Sequence, residues 1–87
     1  MFRLWGRIIK EGRIVKSMTV ERPEDDTRTH KILAAVSELC REWDLENPIW
    51  LDSTIASFKR HSKARFYNDS FIEKIDFDYM EIEIMEE

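Results

Sequence analysis

The end of the chain alternates. From Tyr79 to Glu86, Met80, Ile82 and Ile84 fall on one side and Glu81 and Glu83 on the other. That is the two-residue period of a half-buried strand. A closing strand needs partners from earlier in the chain, so this segment is expected inside the fold and not as a tail.

The beginning of the chain supplies those partners. Phe2–Lys10 and Arg13–Val20 read as two strands joined through Lys10-Glu11-Gly12, a three-residue loop with glycine in the left-handed position. This register sets Ile9 opposite Arg13, Ile8 opposite Ile14, Leu4 opposite Met18 and Phe2 opposite Val20. One face then collects Phe2, Leu4, Ile8, Ile14, Met18 and Val20. A two-residue loop would set Leu4 against Thr19 and Phe2 against Glu21, and a one-residue slip flips every side chain. Lys16 is the misfit on the apolar face and is expected to snorkel outward.

The middle of the chain changes period. Glu21–Asp26 reads as a turn containing Pro23. A helix then runs to about Trp43, capped by Asp25, Asp26 or Thr27. Ile32, Val36, Leu39 and Trp43 recur at helical spacing with Leu33 and Cys40 beside them, while Arg28, Lys31, Glu38, Arg41 and Glu42 take the wet side. Asn47-Pro48 breaks the chain. Ile49-Trp50-Leu51 reads as an apolar plug. A shorter helix follows to about His61, capped by Asp52 or Ser53, with Leu51, Ile55 and Phe58 on one side. Lys63–Tyr67 is a short extended piece, Asn68-Asp69 a turn, and 70–75 has no clear period. The expected fold is therefore α+β in ββααβ order, with an extra short strand near 64–73. An N-terminal β-hairpin, one long and one short helix and a C-terminal strand complete a mainly antiparallel sheet of three to four strands. The whole of 1–87 reads as one domain, and the long helix lies across its Phe2/Leu4/Ile8 face.

Composition narrows the class. Of 87 residues, 43% are hydrophobic and 37% charged, the balance of a folded soluble chain and not a disordered one. A chain this short buries only about 60–65% of its unfolded surface, so help from a partner or a second copy fits its size. A lone cysteine, Cys40, forms no internal disulfide, and His30 and His61 complete no zinc spacing. No cofactor or metal is implied. The N-terminus has no apolar run of a signal peptide, and no segment has the length of a membrane span. A cytoplasmic setting without membrane association is expected.

The net charge is −4, but it is segregated. Residues 1–20 carry Arg3, Arg7, Lys10, Arg13 and Lys16 against Glu11, a net +4. Residues 69–87 carry eight acids against Lys74, a net −7. Opposite charges on neighbouring strands pair and help set strand order. Glu81 and Glu83 are therefore expected near Arg3 and Arg7.

Two stretches carry candidate chemistry. Arg3, Trp5, Arg7 and Ile9 alternate on the outer side of the hairpin with Val15 among their neighbours. Trp and Arg are the residues most enriched at interface hot spots, so this side is a candidate protein interface for another protein or a second copy. The plainer reading is that Arg stems and a cation–π contact shield the ring. The second stretch holds Lys59, Arg60, Lys63 and Arg65, followed by Phe66 and Tyr67. Basic groups beside stacking rings suit single-stranded nucleic acid or another polyanion. The acidic balance of the domain disfavours nucleic acid, and pairing with the acidic last strand accounts for the run as well. No catalytic constellation emerges. Cys40 lies by the helix stripe, Asp76 and Asp78 alone make a weak cation motif, and His61 among cations is a poor base.

Trp50-Leu51, the run Phe58-Lys-Arg-His-Ser-Lys-Ala-Arg-Phe66 and the stretch from Asp69 to Ile82 resemble a family of small uncharacterised bacterial proteins of about this length. The resemblance implies a bacterial cytoplasmic setting. It brings no activity, ligand or site residue. The expected function is a small non-enzymatic interaction module, with polyanion binding as the alternative.

Overall fold

The computed structural model describes residues 1–23 and 25–87. The turn expected over Glu21–Asp26 includes Glu24, which lies outside the described residues. In chain order the elements are β1 (Phe2–Lys10), β2 (Arg13–Arg22), α1 (Arg28–Glu42), α2 (Asp52–His61), β3 (Lys63–Phe66), a 3₁₀ turn (Asn68–Ser70) and β4 (Tyr79–Glu86). The strands form one antiparallel sheet in the order β2-β1-β4-β3. The closing strand thus lies between β1 and the short β3.

The hairpin corrects the expected register. Phe2 faces Arg22, Leu4 faces Val20 and Ile8 faces Lys16, whereas Ile9 faces Ile14 and Lys10 faces Arg13. The loop is the two-residue Glu11-Gly12, with φ of 55° and 76°, the doubly left-handed turn that matches the twist of a hairpin. Its side-chain mismatch is repaired by a bulge that leaves Val15 without a partner between Lys16 and Ile14. Ile14 is therefore not a core residue. It is 53% exposed and sits opposite Ile9. Lys16 is exposed, as expected at an edge.

One sheet face is covered. Phe2, Leu4, Ile8 and Val20 join Ala64, Phe66, Met80 and Ile82 beneath Ile32, Ala35, Val36, Leu39 and Cys40 of α1 and Phe58 of α2. Thr27 caps α1, its side chain accepting from the His30 N–H. Gly6 sets the helix-to-sheet distance, because a Cβ there would run into the Leu39 side chain. For α2 the expected side-chain cap is absent. Leu51 occupies the cap position and Asp52 starts the helix itself, where its charge suits the dipole. The apolar plug reduces to one anchor: Ile49 is exposed, while Trp50 sets its ring edge-on to Phe58 at 5.6 Å and to Phe66 at 4.9 Å.

Candidate functional site

No described helix packs on the other sheet face, and the strand register decides what it displays. Arg7 lies between Ser17 and Glu81, Trp5 between Thr19 and Glu83, and Ile9 between Ile14 and Tyr79. On the far side of β4, Arg65 faces Glu81 and Lys63 faces Glu83. Two candidate stretches far apart in the chain, one around Arg7 and one around Arg65, thus meet across one strand.

Glu81 is the centre of this face. Arg7 Nε donates to Glu81 Oε1 at 2.8 Å, and Arg65 Nε donates to Oε2 at 2.8 Å. Arg7 Nη2 lies 2.6 Å from Glu81 Oε1 and 3.1 Å from Glu83 Oε1. Arg7 is only 6% exposed and Glu81 only 5%. Burial pushes the Glu81 carboxyl upward. Hydrogen bonds from Arg65 and Arg7 outweigh that and hold it below the usual glutamate range. The same bond to Glu81 raises the pKa of the Arg65 guanidinium.

Rings flank the ion triad. The Arg7 guanidinium lies 3.9 Å from the Trp5 ring centroid, and the Trp5 indole N–H donates to Ser17 Oγ at 2.6 Å. The Arg65 guanidinium lies 4.7 Å from the Tyr79 ring, which tilts against Tyr67 at 5.3 Å. Each ring and each guanidinium is therefore held by a neighbour. The shielding of Trp5 by an arginine is realised, yet the ring remains half-buried and Tyr67 is 47% exposed.

Several expected members fall elsewhere. Phe66 is 0% exposed. As an alternate position on β3 it points to the core beside Trp50, so it is not a stacking ring. Ile9 is buried between Ile14 and Tyr79. Val15 leaves the row of Arg3, Trp5 and Arg7, because the bulge turns it into a depression with Ile8, Trp43 and Phe77. Arg3 pairs with Glu21 at 2.8 Å and Glu86 at 3.9 Å, not with Glu81 or Glu83. Lys59 and Arg60 lie exposed in the last turn of α2, and neither has an ion pair among the described residues. Tyr79, Glu81 and Glu83 complete the face and were absent from both candidate sets. Their signal was the polar half of the β4 alternation.

The remaining chemistry is structural. Burial pushes the Cys40 thiol up to about 11, which suppresses the thiolate a nucleophile needs. Asp78 Oδ2 accepts from the Glu11 N–H at 2.8 Å, fastening the hairpin turn to the start of β4. Among the described residues no group of three or more His, Cys, Asp or Glu is placed to hold a metal ion. No described helix is long and apolar enough to cross a membrane.

Comparison with family models, curated proteins and solved structures finds no match. The functional reading therefore rests on geometry.

Proposed function

We propose that this chain is a small non-enzymatic protein-interaction module whose docking surface is the open sheet face around Trp5, Arg7, Glu81, Arg65, Tyr79 and Tyr67. The observation that carries the reading is the pre-ordering of that face. Trp, Tyr and Arg are held by mutual contacts, so little side-chain entropy remains to be lost on docking. The sheet edges are poorer candidates. On β2, Arg13, Lys16 and the bulge at Val15 blunt strand addition, and β3 is only four residues long.

Area sets the kind of complex. Four strands at the usual spacing and about eight residues of length give a face of roughly 500 Å². A standard stable interface takes about 800 Å² from each partner, so the contact is a transient one. A second copy of the chain is the first partner to test. The free, buried Cys40 is in keeping with a reducing, cytoplasmic setting.

The test is the solution mass at low and moderate salt, followed by amide shifts recorded against protein concentration. Concentration-dependent shifts are expected at Trp5, Ser17, Tyr67 and Tyr79, and Trp5→Ala should remove them without loss of fold. Self-association that survives Trp5→Ala, with shifts on the helical side, would overturn the assignment.

Polyanion binding is the second reading, supported by Lys59 and Arg60 on α2, which have no ion pair among the described residues. It is weakened on the sheet, where Glu81 and Glu83 already neutralise Arg7 and Arg65. Charge reversal at Lys59 and Arg60 should abolish heparin retention if it holds.

A further inference from the structure

A second concave site lies on the opposite side of the molecule, between the helices. Arg28, Thr29, Ile32 and Leu33 of α1 face Ile55, Phe58 and Lys59 of α2 across a groove of about 360 Å³, with Trp50 also lining it. Ile32 and Phe58 are buried, whereas Leu33 and Ile55 are 48% and 37% exposed. The groove is thus an open apolar trough with an aromatic base. Its volume is in the range of small-molecule sites, roughly 300–1,000 Å³. Such sites combine mainly apolar walls with a few placed polar groups, and here those groups are two cations and one hydroxyl.

The cations indicate what the polar end of a ligand must be. Arg28 stands with its guanidinium 5.6 Å from the Phe58 ring centroid, so it bridges the apolar base and the solvent. Its Nε donates to the Glu87 carboxylate at 2.6 Å. That carboxylate belongs to a half-exposed residue outside the groove lining, so Arg28 already holds an acid beside the trough and an exogenous acid can compete for it. Lys59, on the facing helix, has no ion pair among the described residues and adds a second cation to the lining. Among the described residues no acidic side chain lines the groove.

We infer that the α1–α2 groove binds an amphipathic carboxylate, its acid group at Arg28 and Lys59 and its hydrocarbon against Leu33, Trp50, Ile55 and Phe58. The site is independent of the open sheet face, and its occupant replaces Glu87 on Arg28. A cationic amphiphile of equal length would meet the same walls but two like charges.

The test uses dodecanoate below its micelle concentration, titrated into ¹⁵N-labelled protein, with dodecyltrimethylammonium as the control. Shifts are expected at Thr29, Leu33, Ile55, Lys59 and the Trp50 indole, with Glu87 released. R28Q and K59Q should each weaken dodecanoate by about tenfold, the equivalent of one charge-assisted hydrogen bond. Leu33→Asn changes an exposed wall position and should weaken it with the melting temperature kept. Equal binding of the cationic amphiphile, shifts centred on Trp5 and Tyr79, or a response only to an acidic peptide would each overturn the inference.

Discussion

The two faces of one sheet are built on different physics. On the covered face Leu4, Ala64, Phe66, Met80 and Ile82 are sealed against Leu39 and Ala35. On the open face Arg7, Glu81 and Arg65 are joined by directed bonds of 2.8 Å or less. The same strands, β1 and β4, supply both sets by alternation. Apolar burial is large but non-directional, and it tolerates a slip of two residues, which keeps every side chain on its face. The ion triad opposes that slip in one direction, where Tyr79 would replace Glu81 opposite Arg7, whereas in the other Glu83 would take its place. The covered face supplies the stability, and the open face favours one register over its neighbours.

The largest effect should come from removing both faces at once. Ending the chain at Asp78 deletes β4, the strand that β1 and β3 share, together with Met80, Ile82 and Glu81. A cooperative melt should disappear, checked by circular dichroism and calorimetry. A retained transition would mean that the hairpin and helices fold without their central partner. Next in size is the covered face alone. Leu39→Ala should cost about 4 kcal/mol in denaturant titrations, within the usual span for a fully buried leucine. Gly6→Ala should cost about 2 kcal/mol by overpacking. The two changes are coupled: with Leu39 already shortened, the added Cβ at Gly6 has room, so the double variant should be more stable than the sum of the single losses.

The open face gives effects below that of Leu39→Ala, with a pH signature. Glu81→Gln leaves Arg7 buried beside only Glu83, and breaking such a buried pair costs about 3 kcal/mol. The Glu81 carboxyl is held below its ordinary value in the folded chain because the bonds from Arg65 and Arg7 outweigh its burial. Its stabilisation is therefore present above the unfolded value of about 4.3 and is lost as pH falls through the folded one. The wild type should lose stability below about pH 4.3, and Glu81→Gln should flatten that part of the curve. An equal acid slope in both proteins would move the pH dependence to other carboxylates.

Much of this frame was legible along the chain. Period two at Met80, Ile82 and Ile84 and period 3.6 at Ile32, Val36 and Leu39 marked the covered face, since apolar spacing reports directly on which side is buried. The expected pairing of Glu81 and Glu83 with the N-terminal cations held for Arg7 and failed for Arg3, whose partners are Glu21 and Glu86. Side-chain parity alone favours a three-residue turn and so leads to the wrong hairpin register. A bulge restores parity after such a turn, and nothing in Ile14-Val15-Lys16 announces one. Its basic neighbours point Phe66 to the surface, although β3 is short enough that one residue of phase decides between core and solvent. The convergence of Arg7 and Arg65 on Glu81 lay beyond local reading. It follows from the strand order β2-β1-β4-β3, which depends on pairing between distant segments.

The smallest effect on stability should carry the most about function. Trp5 is half-buried, its ring rests on the Arg7 guanidinium and its indole N–H bonds to an exposed serine. Trp5→Ala removes one cation–π contact of about 1 kcal/mol and one exposed hydrogen bond, leaving Glu81 and Glu83 to hold Arg7. Stability should fall by about 1 kcal/mol, while any association through the open face should fall by 2 kcal/mol or more, about thirtyfold, the scale of a hot-spot residue. Measuring both quantities on one variant separates the two roles of the residue. A stability loss near that of Leu39→Ala, with association unchanged, would place Trp5 among the structural residues and leave the ion triad as a purely register-setting device.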